Sequence, residues 1–318
     1  MAARSAAPAA GAQPDAPAGN WVDRRAPEAW RPWLHLSRLD RPIGTWLLLL
    51  PCWWGLGLAM VAHGPGWRDL WIAAACALGA VVMRGAGCTW NDLSDRRIDA
   101  QVARTRIRPL PSGRVTPRGA LVWLALQCLV GLAILLTLHP AAIWLGVVSL
   151  VPLAVYPFAK RFTWWPQAFL GIAFNWGALL AFAAHAGRLE APAVVLWLAG
   201  IAWTLFYDTI YAHQDIEDDA LIGVKSTARL FGDASARWLA GFAVAAVAGL
   251  GLALVLARPE GAATWLLGLA AIAGFGLHLG AQLRRFRPRQ PALALRLFRS
   301  NRDAGLIVAL LFAAAGLA

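Results

Sequence analysis

Asp92, Asp95 and Asp99 fall within the run NDLSDRRID at positions 91–99. Their spacing of i, i+3 and i+7 puts all three on one face of a helix. Carboxylates sharing a face repel one another, and a divalent cation is the partner such a face calls for. The plainer alternative is a solvated loop whose aspartates cap helices, which is all that most charge runs are. A second acidic run weighs against it. In DTIYAHQDIEDD, at 208–219, Asp208, Tyr211, Asp215 and Asp218 or Asp219 again fall on one helical face. Arg104, Arg106, Arg108, Lys160, Arg161 and Lys225, in loops expected on the same side as the acidic runs, could neutralise phosphate. Mg²⁺ prefers one or two carboxylates together with phosphate oxygens. Such a set at the mouth of an apolar bundle implies an amphiphilic diphosphate whose tail lies among the helices.

The elements that must carry these residues follow from composition. The chain is 59% hydrophobic and 14% charged over 318 residues, with a mean hydropathy of +0.55. No soluble domain of this length is so apolar. Runs long enough to cross a bilayer core recur, so the expected fold is all-α and polytopic. Nine spans are expected, near 43–63, 69–90, 118–138, 141–158, 166–186, 192–212, 234–257, 262–283 and 303–317. The two acidic runs close the second and sixth, which suggests a weak four-helix repeat. Residues 1–32, rich in Ala, Pro and Gly, read as a disordered tail ahead of a membrane domain at 33–318. The 18 tryptophans fit interfacial anchoring, Trp164 and Trp165 among them.

The net charge of +12 does not point to nucleic acid, because the basic residues are confined to alternate loops. That pattern places the N-terminus in the cytoplasm and both acidic runs on that side, where they can face each other. The tail lacks the apolar core of a secretory signal and is poor in arginine, which favours a bacterial inner membrane over a mitochondrial one. Lys160 and Lys225 are the two lysines of the chain; they mark either a requirement for a compact ammonium or chance survival among arginines. Cys52, Cys76, Cys88 and Cys128 form no CxxC pair and read as packing residues. Arg84 lies within the second span, where a charge is expensive, on the face of Asn91 and Asp95 and about 10 Å deeper than Asn91. It is a candidate partner for an acceptor carboxylate, with a counterion for an aspartate as the alternative. His213 lies on another face from Tyr211 and Asp215 and is expected either to pack or to meet solvent. Asn175 is expected to bond between helices.

Five strings carry a resemblance: RLDRPIGTWLLLLP, MRGAGCTWND, NDLSDRRIDAQVARTRIRPLPSG, YPFAKRFTWWPQ and DTIYAHQDIEDDALIGVKSTARLFG. In order and position they resemble the UbiA superfamily of intramembrane prenyltransferases, nearest its 4-hydroxybenzoate polyprenyltransferase branch, from about Leu34 to the C-terminus. The resemblance implies nine helices around a central cavity, with Mg²⁺, a polyprenyl diphosphate and 4-hydroxybenzoate as partners, within membrane lipid. It implies Asn91, Asp92, Asp95 and Asp99 as one metal cluster and Asp208, Asp215 and Asp219 as the other. Tyr156 and Lys160 match a YxxxK pattern for the allylic cation and diphosphate. Arg161 and Lys225 are implied at phosphate, with Asp92, Asp95, Asp215, Tyr156 and Lys160 central to catalysis; beside the resemblance, Arg38, Arg84, Arg104, Arg108 and Tyr211 are candidates for binding substrate. The implied reaction ionises the C1–O bond of the diphosphate, and the ring carbon ortho to the acceptor hydroxyl attacks the cation.

Within the superfamily, naphthoate, chlorophyll and haem acceptors are the alternatives. A cation transporter would want its carboxylates nearer the bilayer midplane than these helix-end clusters. A CDP-alcohol phosphotransferase would carry a DGxxAR string, which is absent.

Overall fold

The computed structural model describes residues 16–17, 19–101, 105–214, 216, 220 and 223–318, all helix, turn or irregular chain. Among them nine helices are long and apolar enough to cross a membrane, and the protein is a multi-pass membrane protein. The elements are α1 (Trp21–Arg25), α2 (Arg31–Leu36), α3 (Ile43–His63), α4 (Asp69–Asp99), α5 (Pro117–Leu135), α6 (Pro140–Val148), α7 (Leu150–Phe162), α8 (Pro166–Ala186) and α9 (Ala191–Ala212). They continue with α10 (Thr227–Phe231), α11 (Ser235–Ala257), α12 (Ala262–Arg285) and α13 (Pro291–Leu317).

Four expectations change. The stretch assigned to the tail holds α1, because Asn20 caps it by accepting from the Asp23 amide and Val22 is buried. Helix α4 continues nine residues beyond the expected span end, carrying the first acidic run as helix. The fourth span divides at Ser149 into α6 and α7. Pro152 explains the division, since it has no N–H for the Val148 carbonyl. The last helix starts at Pro291 rather than near Asp303. Arg296, Arg299 and Arg302 argue against a span there, yet Ala294, Leu297, Asn301 and Ala304 are buried at helical spacing and make the stretch amphipathic.

Contacts divide the chain into two compact units, residues 1–44 with 81–131 and residues 45–80 with 132–318. In the first, Leu36, Leu110, Val115 and Ala120 form a core flanked by Trp33, Leu93 and Trp123. Gly44 lets the guanidinium of Arg84 lie close against α3, where a Cβ would displace it. In the second unit, Leu49, Cys52, Leu56, Met60, Ile72 and Cys76 belong to one core cluster, which bears out the packing role of two cysteines. Trp54 stacks on Trp203 with ring centroids 4.7 Å apart, and Phe275 meets both rings edge-on.

Asn301 ties this second unit together through neutral hydrogen bonds. Its Oδ1 accepts from Trp203 Nε1 at 2.9 Å and from Gln282 Nε2 at 3.2 Å. Its Nδ2 donates to Gln282 Oε1 and to the Leu297 carbonyl. Asn175 bonds as expected, donating to Thr204 Oγ1 at 2.8 Å across α8 and α9.

Candidate active site

In the first unit, the final turns of α4 place Asp92, Asp95 and Asp99 on one buried face, 0%, 1% and 6% exposed, while Arg96 and Arg97 between them are exposed. The helical spacing is as the sequence predicts. The neutralisation is not. Asp92 and Asp99, expected to await a metal, already meet arginines. Arg38 Nη2 donates to Asp92 Oδ1 at 2.7 Å. Arg108 Nη1 donates to Asp99 Oδ2 at 2.9 Å and stands 3.7 Å from Asp92 Oδ1. Arg108, expected at substrate, is thus turned onto the acidic face. Burial disfavours the charge on Arg38, but the field of Asp92, with Cys88 and Asp40, outweighs it and holds the guanidinium above its ordinary value. The case for a metal therefore narrows to the atoms left over. Asp92 Oδ2 is buried and accepts no hydrogen bond. Asn91, beside it, is half-buried.

Arg84 lies about two turns deeper on α4, half-buried against Gly44. Gly85 beside it makes room for Gln127, whose amide a Cβ there would strike. Thr105 Oγ1 donates to the Asp99 carbonyl at 2.8 Å and fastens the chain just after the helix. Arg106 is exposed. Arg104 lies outside the described residues.

In the second unit, Tyr156 and Lys160 stand one turn apart on α7, both half-buried. The Lys225 amide donates to the Lys160 carbonyl at 3.3 Å, so the structure brings the two lysine-bearing segments together. Lys225 Nζ reaches the Phe162 carbonyl at 3.5 Å and lies 5.9 Å from the centroid of Trp164. Arg229 covers the same indole, so Trp164, expected at the membrane interface, is flanked by two cations. Arg161 is exposed, its guanidinium 4.9 Å from the Phe158 ring centroid.

Asp208 and Tyr211 end α9 half-buried, with the Tyr211 ring 4.4 Å from Phe298. The neighbouring Thr209 shares a 2.7 Å hydrogen bond with Thr227, and Gln167 Oε1 accepts from the Thr227 amide, so α8, α9 and α10 are pinned together there. His213 packs rather than meeting solvent, buried edge-on against Phe286 with Nδ1 on the Thr209 carbonyl. Burial pushes its imidazole below the usual range. Asp215 and Asp219 lie outside the described residues.

Sequence reasoning missed Trp21, Asp23, His35, Asp40, Ser37 and Gln127, which together hold the turn behind Arg38. The signal within reach was the pair Asp40 and Arg41 flanking a helix stop that contains no glycine.

A sequence profile described as the UbiA prenyltransferase family matches residues 48–315. The chain belongs to that family. Among relatives, a mitochondrial 4-hydroxybenzoate polyprenyltransferase of Arabidopsis thaliana is 50% identical over 236 residues, 73% of this chain and 57% of that one. One from Mus musculus is 49% identical, covering 73% of this chain and 62% of its own. One from Bos taurus is 45% identical over 290 residues, 90% of this chain and 76% of that protein. The alignments thus span less than two thirds of the first two relatives. Among solved structures, an apo UbiA homolog from Aeropyrum pernix K1 superposes with a TM-score of 0.69 at 24% identity, over 84% of this chain and 96% of that one. A UbiA homolog from Archaeoglobus fulgidus, bound to GPP and Mg²⁺, gives 0.65 at 21%, over 90% and 98%. The UbiA fold is shared with both.

For a UbiA-type chain the test is whether these residues suit a divalent cation. Among the described residues no three His, Cys, Asp or Glu side chains group as a metal site. Mg²⁺ does not need three, since substrate phosphates complete its shell. A buried carboxylate oxygen with no other partner is a hard oxygen donor, and Asp92 Oδ2 fits.

Proposed function

We propose that this protein transfers a polyprenyl group from polyprenyl diphosphate to the ring carbon ortho to the hydroxyl of 4-hydroxybenzoate, in ubiquinone biosynthesis. The observation that carries the reading is the 45–50% identity to relatives named for that reaction. Asn91, Asp92, Asp95 and Asp99 are the proposed metal residues of the first motif, and Asp208, Asp215 and Asp219 those of the second. Mg²⁺, when bound, neutralises diphosphate charge as the C1–O bond breaks. Lys160, Arg161 and Lys225 bind the diphosphate, for which the joined Lys160 and Lys225 segments are suited. The Tyr156 ring, one turn from Lys160, steadies the allylic cation by its π face. Tyr211 lies along the prenyl chain, and Arg104 and Arg108 add positive charge on the phosphate side. Arg84 takes the acceptor carboxylate. Apolar helices exclude water from the cation.

We place the protein in a bacterial inner membrane with its N-terminus cytoplasmic, from the arginines of alternate loops. The test is incubation of the purified protein with a polyprenyl diphosphate, Mg²⁺ and, in parallel, 4-hydroxybenzoate and a dihydroxynaphthoate. Prenylated 4-hydroxybenzoate is expected. Product with the naphthoate alone, or with neither acceptor, overturns the reading.

A further inference from the structure

Helix α2 stops in a turn that its sequence should resist. The Arg38 amide donates to the His35 carbonyl at 3.1 Å, and the Leu39 amide to the Leu34 carbonyl at 3.0 Å. That pair of bonds is the Schellman helix stop, whose left-handed position is usually glycine. Here it is Arg38, at φ 56°. A side chain in that backbone region is disfavoured, and such residues gather where the strain has a use.

Everything around Arg38 holds the turn closed. Trp21 Nε1, on α1, donates to the Leu39 carbonyl at 2.8 Å. His35 is buried between two carboxylates, with Nε2 3.0 Å from Asp23 Oδ1 and Nδ1 2.9 Å from Asp40 Oδ2. Arg41 braces Asp40 at 3.1 Å. Ser37 Oγ accepts from Trp123 Nε1 and Gln127 Nε2 of α5, at 2.9 and 3.0 Å. So α1 and α5 both grip a six-residue turn.

That turn delivers one guanidinium. Arg38 Nη1 donates to the His35 carbonyl at 3.0 Å, and Nη2 to Asp92 Oδ1 at 2.7 Å. The other oxygen of Asp92 is left buried and unbonded.

We infer that Arg38 is a positioning residue: the strained turn, latched by α1 through His35, fixes Asp92 by Oδ1 so that Oδ2 is presented to a divalent cation. The inference rests on the metal role proposed for Asp92. It also makes residues 20–41 part of the site's support.

Arg38→Gly separates positioning from plain structural need. Glycine suits the left-handed turn, so the backbone stop survives while the guanidinium is lost. Mn²⁺ uptake by the purified full-length protein, with inorganic pyrophosphate present, is read by paramagnetic resonance of free Mn²⁺ beside a thermal melt. Expected are a Mn²⁺ dissociation constant about 10- to 100-fold weaker and a lowered melting temperature, since Asp92 loses a buried counterion even as the turn is relieved of strain. Arg38→Lys should recover part of the affinity. His35→Gln, which loosens the latch without touching Asp92, should weaken Mn²⁺ several-fold and carries the comparison should Arg38→Gly fail to fold. Mn²⁺ binding in Arg38→Gly or, in that event, His35→Gln as tight as in the unchanged protein, or tighter, overturns the inference alone. No Mn²⁺ uptake by the unchanged protein overturns the metal role of Asp92 with it.

Discussion

At Asn301, the side-chain oxygen accepts from Trp203 and Gln282 while the amide donates to Gln282 and a carbonyl. At Asp92, one carboxylate oxygen accepts from Arg38 and the other accepts nothing. Both residues are 0% exposed. The first arrangement is neutral and complete, which is what a polar group inside an apolar bundle needs if its work is to hold helices in register. The second is charged and left incomplete at one atom. A buried carboxylate is costly, and this one, given an arginine and a strained turn, still has an oxygen open, the atom proposed to meet the metal. Between these two positions, the complete set of hydrogen bonds belongs to the residue that ties helices together, and the open oxygen to the one proposed to hold metal.

Substitutions can break this division. On the chemical side, Arg84→Ala should raise the KM for 4-hydroxybenzoate about 10- to 100-fold with the KM for polyprenyl diphosphate little changed. Weakened diphosphate binding with an unmoved acceptor KM would assign Arg84 to the aspartates instead. On the architectural side, Asn301→Leu leaves the Trp203 indole N–H and the Gln282 amide without partners. It should cost about 1–3 kcal/mol in a denaturation experiment while kcat per folded molecule stays within about twofold; a large kcat loss would erase the distinction. Thr209→Val removes the hydrogen bond to Thr227 and should cost about 1 kcal/mol, lowering the melting temperature. The smallest effect is expected at Asp40. Burial opposes its charge, but hydrogen bonds from His35 and Arg41 win and hold its pKa below the ordinary carboxylate range. A carboxylate lowered in the folded state contributes stability that is full above its unfolded pKa of ~3.9 and is lost as pH falls through the folded value. Melts taken downward from pH ~5 should therefore fall less steeply in Asp40→Asn than in the unchanged protein.

Much of the helical skeleton could be read from the chain because its apolar runs are long and bounded by Pro, Gly or charge. The span at Ile43–His63 and that at Pro166–Ala186 were legible to the residue. The start of α13 was not, since three arginines mask a helix whose other face is buried among its neighbours. The acidic face of α4 was legible from spacing alone. Its neutralisation was not: Arg38 lies 54 residues from Asp92, and nothing local marks an arginine as the residue that will take a left-handed backbone. Nor does an Ala- and Pro-rich stretch announce that Trp21 and Asp23 will grip a turn near Leu39. Positions within a helix follow from period, whereas pairings between distant segments follow from packing that the period does not encode.

The most direct measurement is the Mg²⁺ dependence of prenyl transfer to 4-hydroxybenzoate, after removal of adventitious metal with EDTA, in the unchanged protein and in Asp92→Asn. That change keeps the shape of the side chain and its contact with Arg38 while replacing the open carboxylate oxygen. The account predicts no product without added Mg²⁺, saturable product with it, and at least a ~10²-fold loss of rate in Asp92→Asn that higher Mg²⁺ only partly restores. Product that forms without metal, or an Asp92→Asn protein whose Mg²⁺ curve overlays that of the unchanged one, would contradict it.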